Sequence, residues 1–183
     1  MKKKFWFYLF TFLFSFASYA QPIFMAKNGF ASFFSAATLE NIEGKNNSAK
    51  GILNISNNEI HLIVPIRQFK FEKALMEEHF NENYLESEKF PNANYDGKIN
   101  ETIDFTKDGV YEVTSTGKLK MHGVEQERTE KGKLTILGKE IRLQCDMKIK
   151  VADFKIEIPK LVFQNIAEMV DVKLDIPFVP FKK

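Results

Sequence analysis

The sequence predicts a mainly β protein, a single antiparallel domain with one short helix between two of its strands. Three observations carry this reading. Apolar and polar residues alternate strictly over long runs after residue 50, which is the period of a strand with one dry face and one wet face. Turn-forming residues separate those runs at hairpin spacing. No βαβ rhythm, internal repeat or low-complexity linker divides the chain.

Taken in order, Lys2, Lys3 and Lys4 precede an apolar run from Phe5 to Ala17, and Ser18, Tyr19 and Ala20 follow as a small-x-small cleavage site. Residues 1–20 therefore read as a secretory signal peptide and residues 21–183 as the mature domain, starting at Gln21. The apolar run is shorter than the ~20 residues a spanning helix needs, so no stable membrane span is expected. No cysteine stands at the cleavage point, which disfavours a lipid-modified product, and export across the inner membrane implies a periplasmic protein. Loss of the three lysines changes the balance from 26 basic and 24 acidic residues to 23 and 24, a net charge of −1. Nucleic acid is excluded as a partner on that ground, because such binding needs a basic surface. Cys145 is the sole cysteine, so stability must come from packing without a disulfide.

The first alternating strand sets Ile60, Leu62, Val64 and Ile66 against Glu59, His61 and Arg67. A second sets Tyr111, Val113, Leu119 and Met121 against Glu112, Thr114, Lys118 and Lys120. The longest carries Ile141, Leu143, Cys145, Met147, Ile149 and Val151 at every second position, and the last carries Val170, Val172, Leu174, Ile176 and Phe178. Asn57-Asn58, Asp108-Gly109 and Gly138-Lys139 supply turns, since Asn and Gly tolerate positive φ. Pro65, Pro159, Pro177 and Pro180 should mark strand ends, edges or bulges. Eight or so such strands hide their edges by closing into a barrel or by stacking as a two-sheet sandwich. A membrane-spanning barrel would carry its apolar face outward between aromatic girdles. Here the Phe residues gather in the signal, near residues 30–34, and around the helix and termini.

Between the first two strands, Leu75, Met76, His79 and Phe80 recur at helical spacing, with Glu72, Glu77, Glu78 and Glu82 on the remaining surface. Phe90 and Pro91 end that region. The run EHFNENYLESEKFPNANYDGKI, Glu78 to Ile99, resembles the signature of the YceI-like family, in which a helix ending in His-Phe leads through a Leu-x-Ser turn to Phe-Pro-x-Ala and a strand. Gly117 to Gly123 (GKLKMHG) and Asp153 to Pro159 (DFKIEIP) resemble two further segments of that family. The order and spacing match from about Asn28 to Phe178. The resemblance implies a lipocalin-like antiparallel β-barrel with a helical cover, and binding of a polyisoprenoid inside it.

Catalytic motifs are missing: there is no phosphate loop, nucleophile elbow or His-Glu-x-x-His helix, and no histidine pair has metal-ligand spacing. No enzyme activity, cofactor or metal is expected. His61 and His122 fall on polar strand faces and read as solvated. His79 reads as a packing residue or a polar contact at the pocket mouth, and Cys145 as a buried, inert thiol. The expected liners of a ligand cavity are Ile60, Leu62 and Val64 from the first strand, and Leu75, Met76, His79, Phe80 and Phe90 from the helix and its exit. Val113, Leu119, Met121, Leu143, Met147, Ile149, Val172 and Leu174 complete the set. Met76, Met121 and Met147 would accommodate a tail of imperfect shape. The partner so implied is a polyisoprenoid or an isoprenoid quinone. The rivals are an enzyme acting on such a lipid, which an ordered polar cluster at the cavity would mark, and a barrel filled solid by the same side chains, with a purely structural or envelope-stress role; the sequence leaves a homodimer open.

Overall fold

The computed structural model describes residues 23–36, 41–158 and 167–181. The signal-peptide segment and Pro159 lie outside them. Among the described residues the strands are β1 (Ile23–Ser35), β2 (Ile42–Asn54), β3 (Glu59–Pro65), β4 (Asn92–Ile99), β5 (Gly109–Met121), β6 (Val124–Leu137), β7 (Glu140–Lys150) and β8 (Met169–Pro180). Helix α1 (Ala74–His79) lies between β3 and β4. Each strand pairs antiparallel with the next, and β8 returns to pair with β1, so the sheet closes as a barrel rather than stacking as a sandwich. Closure removes the free edges of an open sheet, except where β6 before Gly132 and β7 after Cys145 run unpaired with each other. Apart from Arg128 and Glu130 of β6, which border the interior, the inward positions are mostly apolar and most Lys, Glu, Arg and Asp point outward, the reverse of a lipid-facing barrel. Among the described residues no helix is long and apolar enough to cross a membrane.

The hairpins follow turn chemistry. Gly138, at φ 60°, opens the two-residue turn from β6 to β7. Asn58, at φ 61°, closes a four-residue turn from β2 to β3. Asp108 does not form a tight turn: β4 reaches β5 through residues 100–108, and its carboxylate accepts a hydrogen bond from the Gly138 amide at 2.8 Å. A further hairpin turn, at His122-Gly123, is not marked by the alternating pattern. Both residues have positive φ, 49° and 74°, the signature of a type I′ hairpin, and it joins β5 to β6.

The three described prolines of that set occupy the expected places. Pro65 and Pro180 end β3 and β8. Pro177 pairs with Arg142 of β7, but its other side faces a bulge in β1 between Met25 and Phe30, where its missing N–H is harmless. A second irregularity lies in β2, where the buried Asn46 donates to the Pro65 carbonyl at 2.8 Å and accepts from the Ser48 amide at 2.7 Å.

The barrel is packed unequally along its axis. At the end holding the β2–β3 and β6–β7 turns, Leu53, Ile60, Leu134, Ile141, Ile176 and Phe178 are each at most 2% exposed. Gly51 makes room for this plug, since a Cβ there would stand 2.8 Å from the Phe178 ring and 2.9 Å from Leu62. Toward the helix end, inward residues such as Val64, Leu119, Met121, Met147, Val172 and Leu174 are only partly buried. They face an open interior.

Candidate functional site: an apolar cavity in the helix half of the barrel

That interior is a cavity of about 210 Å³, walled almost wholly by carbon. Its sides are Leu62 and Val64 of β3, Val113, Leu119 and Met121 of β5, Leu143, Met147 and Ile149 of β7, and Val172 and Leu174 of β8. Ile60 forms the floor against the packed plug. The roof is the segment between β3 and β4. Met76 and Phe80 lie one helical turn apart, and beyond them the helix widens, the Leu85 amide bonding to the Phe80 carbonyl five residues back at 2.9 Å. This wider turn carries Tyr84 and Leu85 over the cavity as well. Phe80 stacks on Phe33 with ring centroids 5.2 Å apart, and Phe69 and Phe71 pack on both rings, which seals the roof against β1.

Thirteen of the sixteen residues expected to line a cavity do so. Leu75, His79 and Phe90 do not. Leu75 and His79 share the neighbouring row of α1, about 100° round from Met76 and Phe80, and a six-residue helix lying across the mouth turns only one row inward. Leu75 is 61% exposed. Phe90 leaves the cavity to pack edge-on against His122 at 4.8 Å and over Gly123. Residues passed over include Phe33, Phe69, Tyr84, Tyr95, Arg128 and Glu130; Val151 and Val170 also line it, and stood in alternating rows already recognised.

His122 is not the solvated side chain its place in the sequence suggested. Its side chain is 12% exposed. Nδ1 donates to the Phe154 carbonyl at 3.0 Å, and Nε2 lies 3.0 Å from a Glu86 carboxylate oxygen. All three segments that resemble the family signature therefore meet at this imidazole. They clasp the helical roof, the β5–β6 hairpin and the turn after β7 to one another, a structural role at the cavity's rim. His61 is exposed as expected, and it pairs with Asp96 at 2.6 Å.

A polar cluster interrupts the apolar wall. The Tyr95 hydroxyl and Ser115 Oγ lie 2.7 Å apart. The Arg128 guanidinium meets Glu130 Oε1 through Nε at 2.6 Å and Nη2 at 2.5 Å, and Nη2 also donates to the Lys148 carbonyl at 2.8 Å. Burial raises the Tyr95 phenol, the Ser115 hydrogen bond opposes this, and the Glu130 charge adds to the rise. Burial also pushes the Cys145 thiol up to about 11, helped by Glu130 and Asp146. The thiol donates to the Lys131 carbonyl at 3.2 Å. Such a thiol stays protonated at neutral pH, although Cys145 is only partly buried. Among the described residues no group of three His, Cys, Asp or Glu side chains is placed to hold a metal ion.

Solved structures show the same architecture. A polyisoprenoid-binding domain from Saccharophagus degradans, implicated in plant cell wall breakdown, superposes with a TM-score of 0.71 at 16% identity, covering 88% of this chain and 99% of that one. BcnA from Burkholderia cenocepacia gives 0.68 at 15%, covering 81% and 95%. The YCEI protein of Campylobacter jejuni gives 0.59 at 17%, covering 81% and 90%. No curated protein matches the chain. At such identities these likenesses speak for the fold alone, but the sequence profile of the YceI-like domain matches residues 25–178. With its signature segments gathered at one clasp and its barrel hollow beneath, this chain belongs to the YceI-like family.

Proposed function

We propose that this protein is a periplasmic lipid carrier that encloses the tail of a polyisoprenoid or a prenyl-tailed quinone in the helix half of its barrel. The observation that carries the reading is the cavity: about 210 Å³, bounded by Leu, Ile, Val, Met and Phe side chains and roofed by the aromatic cluster. Burying hydrocarbon is worth about 0.8 kcal/mol per methylene, and micromolar affinity needs about 8 kcal/mol. Two or three isoprene units, roughly ten to fifteen carbons, reach that figure before the costs of association are subtracted. The solved domain from Saccharophagus degradans, described as polyisoprenoid-binding, supports the same choice of ligand. Export is supported by the Lys-rich, apolar leader that ends in Ser-Tyr-Ala.

The polar cluster does not favour an enzyme. Glu130 Oε1 is taken up by the Arg128 guanidinium, and burial raises the Cys145 thiol so that it stays protonated at neutral pH, which leaves no thiolate nucleophile there.

Uptake of tritiated geranylgeraniol by delipidated protein tests the reading. One molecule per chain with a Kd in the micromolar range or below is expected, and Val172→Trp, which fills the cavity, should abolish it. Uptake that is absent, or unaffected by Val172→Trp, would overturn the proposal.

A further inference from the structure

The wall is not hydrogen-bonded all the way round. The β5–β6 ladder runs as far as Met121 and Val124, and the β7–β8 ladder as far as Lys150 and Met169. Between them, β6 and β7 pair only from Leu137–Glu140 to Gly132–Cys145. Val124 to Lys131 on one lip and Asp146 to Lys150 on the other thus have no backbone ladder between them. Side chains bridge the seam instead: Cys145 to the Lys131 carbonyl, Arg128 to the Lys148 carbonyl, and Gln126 Nε2 to the Asp153 carbonyl at 3.0 Å.

The inward row of β6 along this seam is Gln126, Arg128 and Glu130, polar where the inward row of β7 across it, Cys145, Met147 and Ile149, is apolar. A charged pair gains little net stability when it leaves water, and an apolar replacement of the same size would serve the barrel at least as well. Among the described residues, Arg128 Nη1 and Glu130 Oε2 have no protein partner, although both residues border the cavity. Two donor hydrogens and one acceptor oxygen are therefore left over at the seam, on the solvent side of the cavity's carbon wall, where Ser115 stands opposite Glu130 in the β5–β6 ladder.

We propose that Arg128 and Glu130 form a charge-neutral polar subsite at the β6–β7 seam, which holds the uncharged hydrogen-bonding head of the bound lipid and discriminates against a phosphorylated one. This deepens the lipid-binding reading above and rests on it. The guanidinium offers N–H groups to a carbonyl or hydroxyl oxygen, while Glu130 already neutralises its charge. A phosphate would bring its own negative charge against that carboxylate in a low-dielectric wall, where like charges repel strongly.

Three probes with closely similar tails separate the outcomes: geranylgeraniol, geranylgeranyl monophosphate and the hydrocarbon phytane, each titrated into delipidated protein. Wild type should take the alcohol roughly tenfold or more tighter than the phosphate, and tighter than phytane. Glu130→Gln should improve phosphate binding roughly tenfold with phytane unchanged. Arg128→Met should weaken the alcohol roughly tenfold, again with phytane unchanged. Arg128→Lys, which keeps the charge but loses the fork, should fall between, and it serves if Arg128→Met does not fold. Equal affinity for the alcohol and phytane, or variants that leave the head-group ranking unmoved, would overturn the subsite while leaving the cavity intact. Failure of all three probes to bind would overturn both.

Discussion

Deleting the same three carbons from two inward-facing leucines on adjacent strands should have very different consequences. Leu134 of β6 is fully buried within the packed plug, at 0% exposure. Leu134→Ala forfeits about 2.4 kcal/mol of transfer free energy and adds a new void, for a total of about 3–4 kcal/mol. Leu119 of β5 already faces the open cavity and is only partly buried. Its removal enlarges an existing space and exposes little new surface, so Leu119→Ala should cost about 1 kcal/mol. With a urea slope of about 2 kcal/mol/M, the midpoints should fall by roughly 1.5–2 M and roughly 0.5 M respectively. Urea unfolding of delipidated protein, followed by far-UV circular dichroism, reads both. Equal costs would mean that the helix half is as tightly packed as the other, and the division of the barrel into plug and cavity would be wrong.

Three further outcomes follow from named contacts. Gly51→Ala puts a Cβ 2.8 Å from the Phe178 ring, which is fully enclosed, so the urea midpoint should show a loss of about 1–3 kcal/mol. His122→Ala unties the clasp between Glu86 and the Phe154 carbonyl; a loss of about 1–3 kcal/mol is expected, with faster amide exchange in residues 80–90, whereas unchanged exchange there would contradict the structural role. The folded Cys145 thiol titrates near 11 against an ordinary 9, so the unfolded chain ionises first and stability should decline as pH rises from 9 towards 11. Cys145→Ala should flatten that decline in a urea-midpoint profile, and an unchanged slope would assign it to other groups.

How much of this was legible in the sequence depended on what each strand places inside. β3, β7 and β8 present Ile, Leu, Val and Met inward, so alternation alone located them and most of the cavity wall. β2 was illegible because its inward face includes Gly44, Ala49 and Gly51, the two glycines kept small by the Phe33 and Phe178 rings. No hydropathy pattern records a glycine that a neighbour's ring needs. β6 was illegible for a different reason: Gln126, Arg128 and Glu130 make both of its faces polar. The family resemblance located the roof but not its orientation. A stripe of Leu75, Met76, His79 and Phe80 is two adjacent helical rows, and only contact with the barrel decides which one is inside. Likewise His122 looked like a strand residue, because Met121-His122-Gly123 betrays its turn only through paired positive φ angles.

The central claim is that the hollow half of the barrel exists to hold an isoprenoid tail. Its most direct test is organic extraction of the protein purified without detergent from its native host, followed by mass spectrometry of what is released. The cavity predicts close to one prenyl-tailed lipid per chain. Recovery of only background phospholipid, with no isoprenoid approaching that ratio, would contradict it.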